Sequence, residues 1–550
     1  MYPLRRTNSS QFKRKKSIIP VIYQENSKSG RSMWYALLAV VFLVFLSIVF
    51  WSKSSIEDII PDSFSEHNLY SLNIPSIKDI PHVATDKRYC IVIDAGSSGS
   101  RIYVYSWNSP SLSQSKQVID INKPSENSFE KKIRPGISSL ASAPEQVSAY
   151  LQPLLEFAEK TVPAELHSST PIFLYATAGL RLLDKELRDS LLSNACLYTL
   201  QNFKFAVDSC TNNFRMISGE MEGMLGWIAV NYLQHKFQDK SIGFMDMGGA
   251  STQIAFEPVT NSHKNDLIDI FIRYQDGSQA IHKVFVTSFL GYGVNQARMK
   301  YVKSLLDNAT TEYRNTTDPC LPVGLQVRTK VNITGSGSFE KCYSAITPIL
   351  EKSQECSKDP CPLNGIHVPL TDFHIGKFFG ISEFWYTTSN GFDLGGVYRP
   401  EAVFAALQKH CSYTWEELEN KFYAKEFKNI DNLSRLELQC FKGVYILNLL
   451  HEGFGFPKSS LKDGQDFDLK TVDEISGFSV SWTFGMAFIY ASSTIMLGRT
   501  SYAWEYIYIT GLLAILAFMV YKYWHGRKHA VVDMSKYHTT NQSSIHIEVA

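Results

Sequence analysis

Two stretches of the chain share one pattern of apolar and polar positions. Cys90 to Trp107, CIVIDAGSSGSRIYVYSW, and Ser241 to Pro258, SIGFMDMGGASTQIAFEP, each run from an apolar segment to an Asp, through a turn of Gly with Ser or Thr, and into a second apolar segment. That pattern predicts a strand, a tight loop and a strand, twice over. Pro144 to Val162 carries apolar residues at helical spacing (Val147, Leu151, Leu154, Leu155, Ala158). Ile172 to Tyr175 reads as a buried strand, Asp184 to Leu200 as a helix, and a further apolar helix runs past Glu222 through Trp227 and Tyr232. Two repeated strand-loop-strand units predict an α/β fold of two related lobes facing each other across a cleft.

The ends follow different patterns. Trp34 to Trp51, WYALLAVVFLVFLSIVFW, is uncharged, has aromatic ends and lacks the small-residue cleavage site of a removed signal peptide, so it reads as a membrane span. Arg5, Arg6, Lys13, Arg14, Lys15, Lys16, Lys28 and Arg31 precede it, and Lys53, Glu57 and Asp58 follow; the positive-inside rule leaves the tail in the cytosol. Tyr506 to Tyr521 is a shorter apolar run followed by Lys522, His525, Arg527, Lys528 and His529, which puts its far side in the cytosol as well. A buried helix is the other reading of so short a run. The expected organisation is a basic cytosolic tail over 1–33, a signal anchor over 34–51 and a lumenal stalk over 52–81. A first lobe then spans 82–218 and is completed by 470–500, a second spans 219–469, and a membrane helix over 506–521 leads to a cytosolic tail over 522–550.

Composition supports that sidedness. The sequons at Asn308, Asn315, Asn332 and Asn432 lie between the two spans, and so do all 9 cysteines. The preferred pairing is Cys196 with Cys210, Cys320 with Cys342, Cys356 with Cys361 and Cys411 with Cys440, leaving Cys90 as a buried thiol; spacing alone does not determine connectivity. A net charge of +1 over 550 residues offers no basic field for nucleic acid.

The two loops carry the candidate chemistry. Gly96, Gly99, Gly248 and Gly249 permit positive φ and remove side-chain bulk, so backbone N–H groups can turn toward an anion. Ser97, Ser98, Ser100, Ser251 and Thr252 add hydroxyl donors, with Arg101 and Ala250 in the same loops. Asp94 and Asp246 end their strands where a divalent cation beside phosphates is held, directly or through water. A plain turn after a strand is the bland reading of each loop; repetition favours a clamp for a polyphosphate. In ATAGLR, Thr177 offers a hydroxyl, Gly179 close backbone approach and Arg181 a bidentate partner for phosphate or carboxylate. In SGEMEG, helix capping accounts for Glu220. Glu222, between Met221, Gly223 and Met224, is open to that account and to a desolvated base acting on water.

DAGSSGSR, ATAGLR, SGEMEG and DMGGASTQ, in this order, resemble the apyrase family of nucleoside triphosphate diphosphohydrolases, and Ser476 to Ala491 resembles a fifth region of that family. SEFWYT at Ser382 to Thr387 and LQCFKG at Leu438 to Gly443, with a span at each end, are most similar to the two-span Golgi and intracellular apyrases. The resemblance implies a two-lobed actin-like, sugar-kinase-like (ribonuclease H-like) fold with the nucleotide in the cleft. It implies Glu222 as base, Ser251 and Gln253 positioning the water, and Asp94 and Asp246 holding Ca2+, Mg2+ or Mn2+ mainly through water. The substrate expected is a nucleoside di- or triphosphate, hydrolysed in the Golgi lumen in support of glycosylation; an endosomal or vacuolar vesicle and the cell surface are the alternative addresses. Trp385, Tyr386, Tyr398 and Trp482 are candidates for stacking on the base, or core aromatics. A phosphotransferase, an exopolyphosphatase and a catalytically silent receptor are the competing readings, and homo-oligomerisation or a regulatory partner on the tails is left open.

Overall fold

The computed structural model describes residues 86–109, 116–124, 129–258, 266–307, 315–328, 331–369, 377–427, 429–430, 432–458, 468–494 and 509–522. The expected tail, anchor and stalk, and the sequon at Asn308, lie outside these residues.

The first sheet is built by β1 (Lys87–Ala95), β2 (Ser100–Asn108), β3 (Glu130–Ile133), β4 (Ile172–Ala176) and β5 (Phe214–Met216), in the order β3-β2-β1-β4-β5. β1 pairs antiparallel with β2 and parallel with β4. The second sheet contains β6 (Gly243–Met247), β7 (Ser251–Phe256), β8 (Leu267–Arg273) and β9 (Gln279–Leu290). Past a separate small sheet of β10 (Asn315–Asp318), β11 (Gln326–Arg328) and β12 (Asn332–Gly335), it is completed by β13 (Lys377–Ser382), β14 (Gly396–Val397) and β15 (Asp468–Thr471). Its order is β14-β15-β13-β6-β7-β9-β8, with β6 antiparallel to β7 and parallel to β13. The run β9-β7-β6-β13-β15 therefore repeats the strand order and directions of β3-β2-β1-β4-β5, and the repeated sequence pattern marks a repeated topology.

α1 (Val147–Thr161) and α2 (Lys185–Asn202) cover one face of the first sheet and share its core with Ile91, Ile93, Leu174 and Leu192. α3 (Gly219–Leu233) is apolar and buried on nearly every side, as expected of a helix with no solvent face. It lies against β6, β7 and β9. α4 (Val294–Asp307), α5 (Pro400–Cys411) and α6 (Gln439–Leu447) contribute to the core around the second sheet. A helix over 482–494 inserts between the first sheet and α3: Thr483 bonds the Tyr105 hydroxyl at 2.8 Å, Tyr490 packs on Trp107 and Phe173, and Phe484 and Phe488 meet Tyr232.

The four disulfides are those expected, and Cys90 is a buried free thiol. Residues 509–522 form a helix with exposed apolar side chains, among them Leu513, Leu516 and Val520; no described helix is long and apolar enough to cross a membrane.

Candidate active site

The two hairpin loops face each other. A Cβ on Gly249 would stand 2.8 Å from Ser97 Oγ and 2.7 Å from Asn295 Nδ2, so only glycine lets the second loop approach the first this closely. The same test at Gly179 places Ser97 Cα at 2.7 Å, which seats ATAGLR under the first loop. Positive φ is not what the loop glycines supply, contrary to expectation: the positive-φ glycines of the described chain lie elsewhere, and these four serve by removing bulk.

The second loop is aimed by the start of α4. The carbonyls of Gly248, Gly249 and Ala250 accept from Val294 N–H (3.0 Å), Asn295 N–H (2.9 Å) and Gly291 N–H (2.8 Å). In a planar trans peptide the next N–H points opposite to the carbonyl, so the amides of Gly249 and Ala250 are directed away from α4 and that of Ser251 away from Gly291. Successive amides turned the same way form an anion cradle.

Strand register sets Asp94 opposite Arg101 and Asp246 opposite Gln253. Burial, then repulsion from Glu222, pushes both aspartates up to about 7; Asp94 is also raised by Asp246 and eased by Arg101 and Lys132, and Asp246 is eased by a hydrogen bond from Ser382. Asp94 Oδ1 and Asp246 Oδ1 are buried without a hydrogen-bond partner among the described residues. Converging, desolvated carboxylates with unmatched oxygens fit a divalent cation, which would restore both to the ionised form. No cluster of three or more His, Cys, Asp or Glu is placed to hold a metal among the described residues, so water and phosphate oxygens must supply the remaining ligands.

Glu222 enters from α3, whose first turn is capped by Ser218 accepting from Met221 N–H. Its Oε2 is ion-paired with Arg181 and accepts from Gln253 Nε2 at 3.2 Å. Gln253 Nε2 also reaches Ser251 Oγ at 2.7 Å and Ser288 Oγ at 3.1 Å. Burial raises the Glu222 pKa although Arg181 pulls it down. A carboxylate held by an amide and a guanidinium, with a raised proton affinity, is equipped to take a proton from water.

Several expected phosphate ligands have other partners. Arg181 donates to Glu222 and, through Nε, to the Ile217 carbonyl at 3.1 Å, so of the two partners expected for it the carboxylate is the one it meets. Ser100 is buried and accepts from the Tyr150 hydroxyl at 2.9 Å, and Thr252 Oγ1 donates to the Tyr292 carbonyl at 2.8 Å; strand alternation turns both side chains into the fold. Thr177 is buried, its N–H donating to the Ala95 carbonyl at 3.3 Å. Arg101 donates to the Tyr103 hydroxyl at 2.9 Å, with Glu130 3.9 Å away. Gly96, Ser97 and Gly248 are half-buried, Ser98 is exposed, and Gly99 and Ala250 are buried.

Two of the aromatic candidates are corrected. Tyr398 is 3% exposed and bonds His451 Nε2 at 2.9 Å. Trp482 is 3% exposed and stacks on Tyr175 at 6.2 Å. Both rings are core, with no face left for a base. Trp385 and Tyr386 are half-buried, and the charges acting on Tyr386 are Asp473, Arg101 and Asp246. Sequence reasoning missed Ser288, which nothing in its surroundings marks, and Ser382. The latter sits at φ +58°, a strained conformation for serine, at the start of the SEFWYT segment and beside Asp246.

Residues 81–503 match the GDA1/CD39 (nucleoside phosphatase) family. The chain is 38% identical over 450 residues to the Golgi apyrase of Schizosaccharomyces pombe, covering 76% of this chain and 78% of that protein. It is 36% identical over 463 residues to the Golgi apyrase of Saccharomyces cerevisiae, covering 76% and 72%. A nucleoside triphosphate hydrolase of Neospora caninum superposes with a TM-score of 0.51 at 14% identity, over 84% of this chain and 99% of that one, a likeness of fold.

Proposed function

The chain belongs to the GDA1/CD39 (nucleoside phosphatase) family, and from that premise we propose that it hydrolyses the terminal phosphoanhydride bond of nucleoside di- and triphosphates, releasing inorganic phosphate. The observation that carries the reading is the convergence of Glu222, held by Arg181 and Gln253, with Asp94 and Asp246 between two facing glycine loops. Glu222 takes the proton of a water that Ser251 and Gln253 position for in-line attack. The loop amides hold the non-bridging oxygens, where charge must be neutralised more than covalent chemistry supplied. Asp94 and Asp246 would hold a divalent cation; when bound it neutralises phosphate charge and supports the leaving group. Arg181 is a positioning residue that fixes the carboxylate.

The reading extends to place and architecture. Spans over 34–51 and 506–521 would put a catalytic region, made of lobes over 82–218 (completed by 470–500) and 219–469, on the lumenal side of a Golgi membrane, as the names of its relatives suggest. There it would consume nucleoside diphosphates released by glycosyl transfer. The described disulfides and the exposed sequon asparagines Asn315, Asn332 and Asn432 support that side. Trp385 and Tyr386 are the remaining candidates for the base.

The test is a panel of nucleoside di- and triphosphates offered to the detergent-solubilised protein with Ca2+, Mg2+ or Mn2+ in turn, with phosphate release as readout. No release from any combination would sink the reading.

A further inference from the structure

Positive charge gathers beside the first loop, and hydrolysis as described makes no use of it. Register sets Lys132 of β3 directly opposite Arg101 of β2, a like-charged cross-strand pair that costs stability. A Cβ on Gly99 would stand 3.3 Å from Arg134 Cγ and 3.5 Å from Lys132 Cε, so the stems of both cations pass over the loop. Crowding that strips water from the Lys132 ammonium, and repulsion from Arg101 and Arg134, lower its pKa to about 8; Asp94 opposes this and Arg435 adds to it. Arg435 comes from the short helix Ser434–Glu437, which packs with α6 beside the second sheet.

The position of these cations relative to the base is informative. Gly179, two residues before the Arg181 that holds Glu222, lies against Ser97 of the first loop, and Lys132 and Arg134 lie against Gly99 of the same loop. Asp94 feels both Glu222 and Lys132. The first loop thus meets the segment that holds the base at Ser97 and the cationic stems at Gly99.

Resting on the hydrolytic reading above, we propose that Lys132 and Arg134 form a second anion subsite. It holds the phosphates that the reaction leaves on the nucleoside, and so sets the preference for triphosphate over diphosphate. Attack at the terminal phosphorus puts that phosphate beside Glu222, and the rest of the chain extends toward Lys132 and Arg134. A triphosphate presents one more phosphate there than a diphosphate, and charge-assisted bonds to it favour the longer substrate.

Lys132→Ala, Arg134→Ala and the double variant are compared with the wild type for kcat/KM on a nucleoside triphosphate and its matching diphosphate, in the same divalent ion. Calorimetry with the non-hydrolysable methylene analogue of each reads binding without turnover. The double variant should lose about tenfold in the triphosphate-to-diphosphate ratio, with a matching loss of triphosphate-analogue affinity and a shallower salt dependence. Lys132→Arg, which keeps the charge, should retain the ratio and guards against a mere folding defect. Equal losses on both substrates, or an unchanged ratio with an active wild type, would overturn the subsite and leave the hydrolytic reading standing. A wild type that releases no phosphate from either nucleotide removes both.

Discussion

Asp246→Asn should stabilise the metal-free protein while abolishing its response to divalent cations. Asp246 is 8% exposed, and burial together with Glu222 raises its carboxyl from 3.8 to about 7. Below pH 3.8 the folded and unfolded chains are both protonated here. Between 3.8 and 7 the unfolded chain ionises first, so the folded state loses stability as pH rises, and the loss is complete above 7. At about 1.4 kcal/mol for each tenfold in proton affinity, the full effect is about 4 kcal/mol. Asparagine removes the charge, and with it one source of repulsion on Asp94. Thermal unfolding in chelator should therefore show the variant melting higher than the wild type at pH 8, the gap closing as pH falls toward 4. Added Ca2+ or Mg2+ should raise the wild-type midpoint by mass action and leave the variant's nearly unmoved. A variant that melts lower than the wild type at pH 8 in chelator, or that keeps the full cation response, would refute the reasoning.

Glu222→Gln should cut turnover by about 10²–10⁴-fold while calorimetric binding of a non-hydrolysable nucleotide persists; near-normal phosphate release would remove Glu222 as the base. Arg181→Ala should lower kcat more than it raises KM, and because Arg181 holds the Glu222 pKa down, the acidic limb of the pH profile should move to higher pH. A rise in KM alone would return Arg181 to the phosphate. Trp482→Ala should destabilise the fold by about 3–5 kcal/mol, the cost of emptying a core position, as read by denaturation, with little change in discrimination among bases.

The extent to which the site could be read from the chain follows from the range of each interaction. The hairpins were legible because alternating burial, β-branched residues and glycine are local signals, and because register follows from so short a loop; Asp246 falls opposite Gln253 for that reason. The disulfide partners lie at modest separations, the longest 29 residues, and the pairing found is one of those that spacing left open. Arg181 and Glu222 are 41 residues apart, and an arginine beside a glycine-rich loop suits phosphate as well as carboxylate, so only the fold decides between them. Aromatic rings share that ambiguity: Tyr398 meets His451 across 53 residues, and nothing local separates a buried ring from one that would stack on a base. Ser288 and Ser382 reach the site from β9 and β13, strands flanking the β6–β7 hairpin, where a single serine carries no local signal of its role. The repeated topology explains why the hairpins carry the signal and their flanking strands do not. Each sheet spends its special residues where two backbones must nearly touch, and its ordinary ones wherever a side chain has only to reach across.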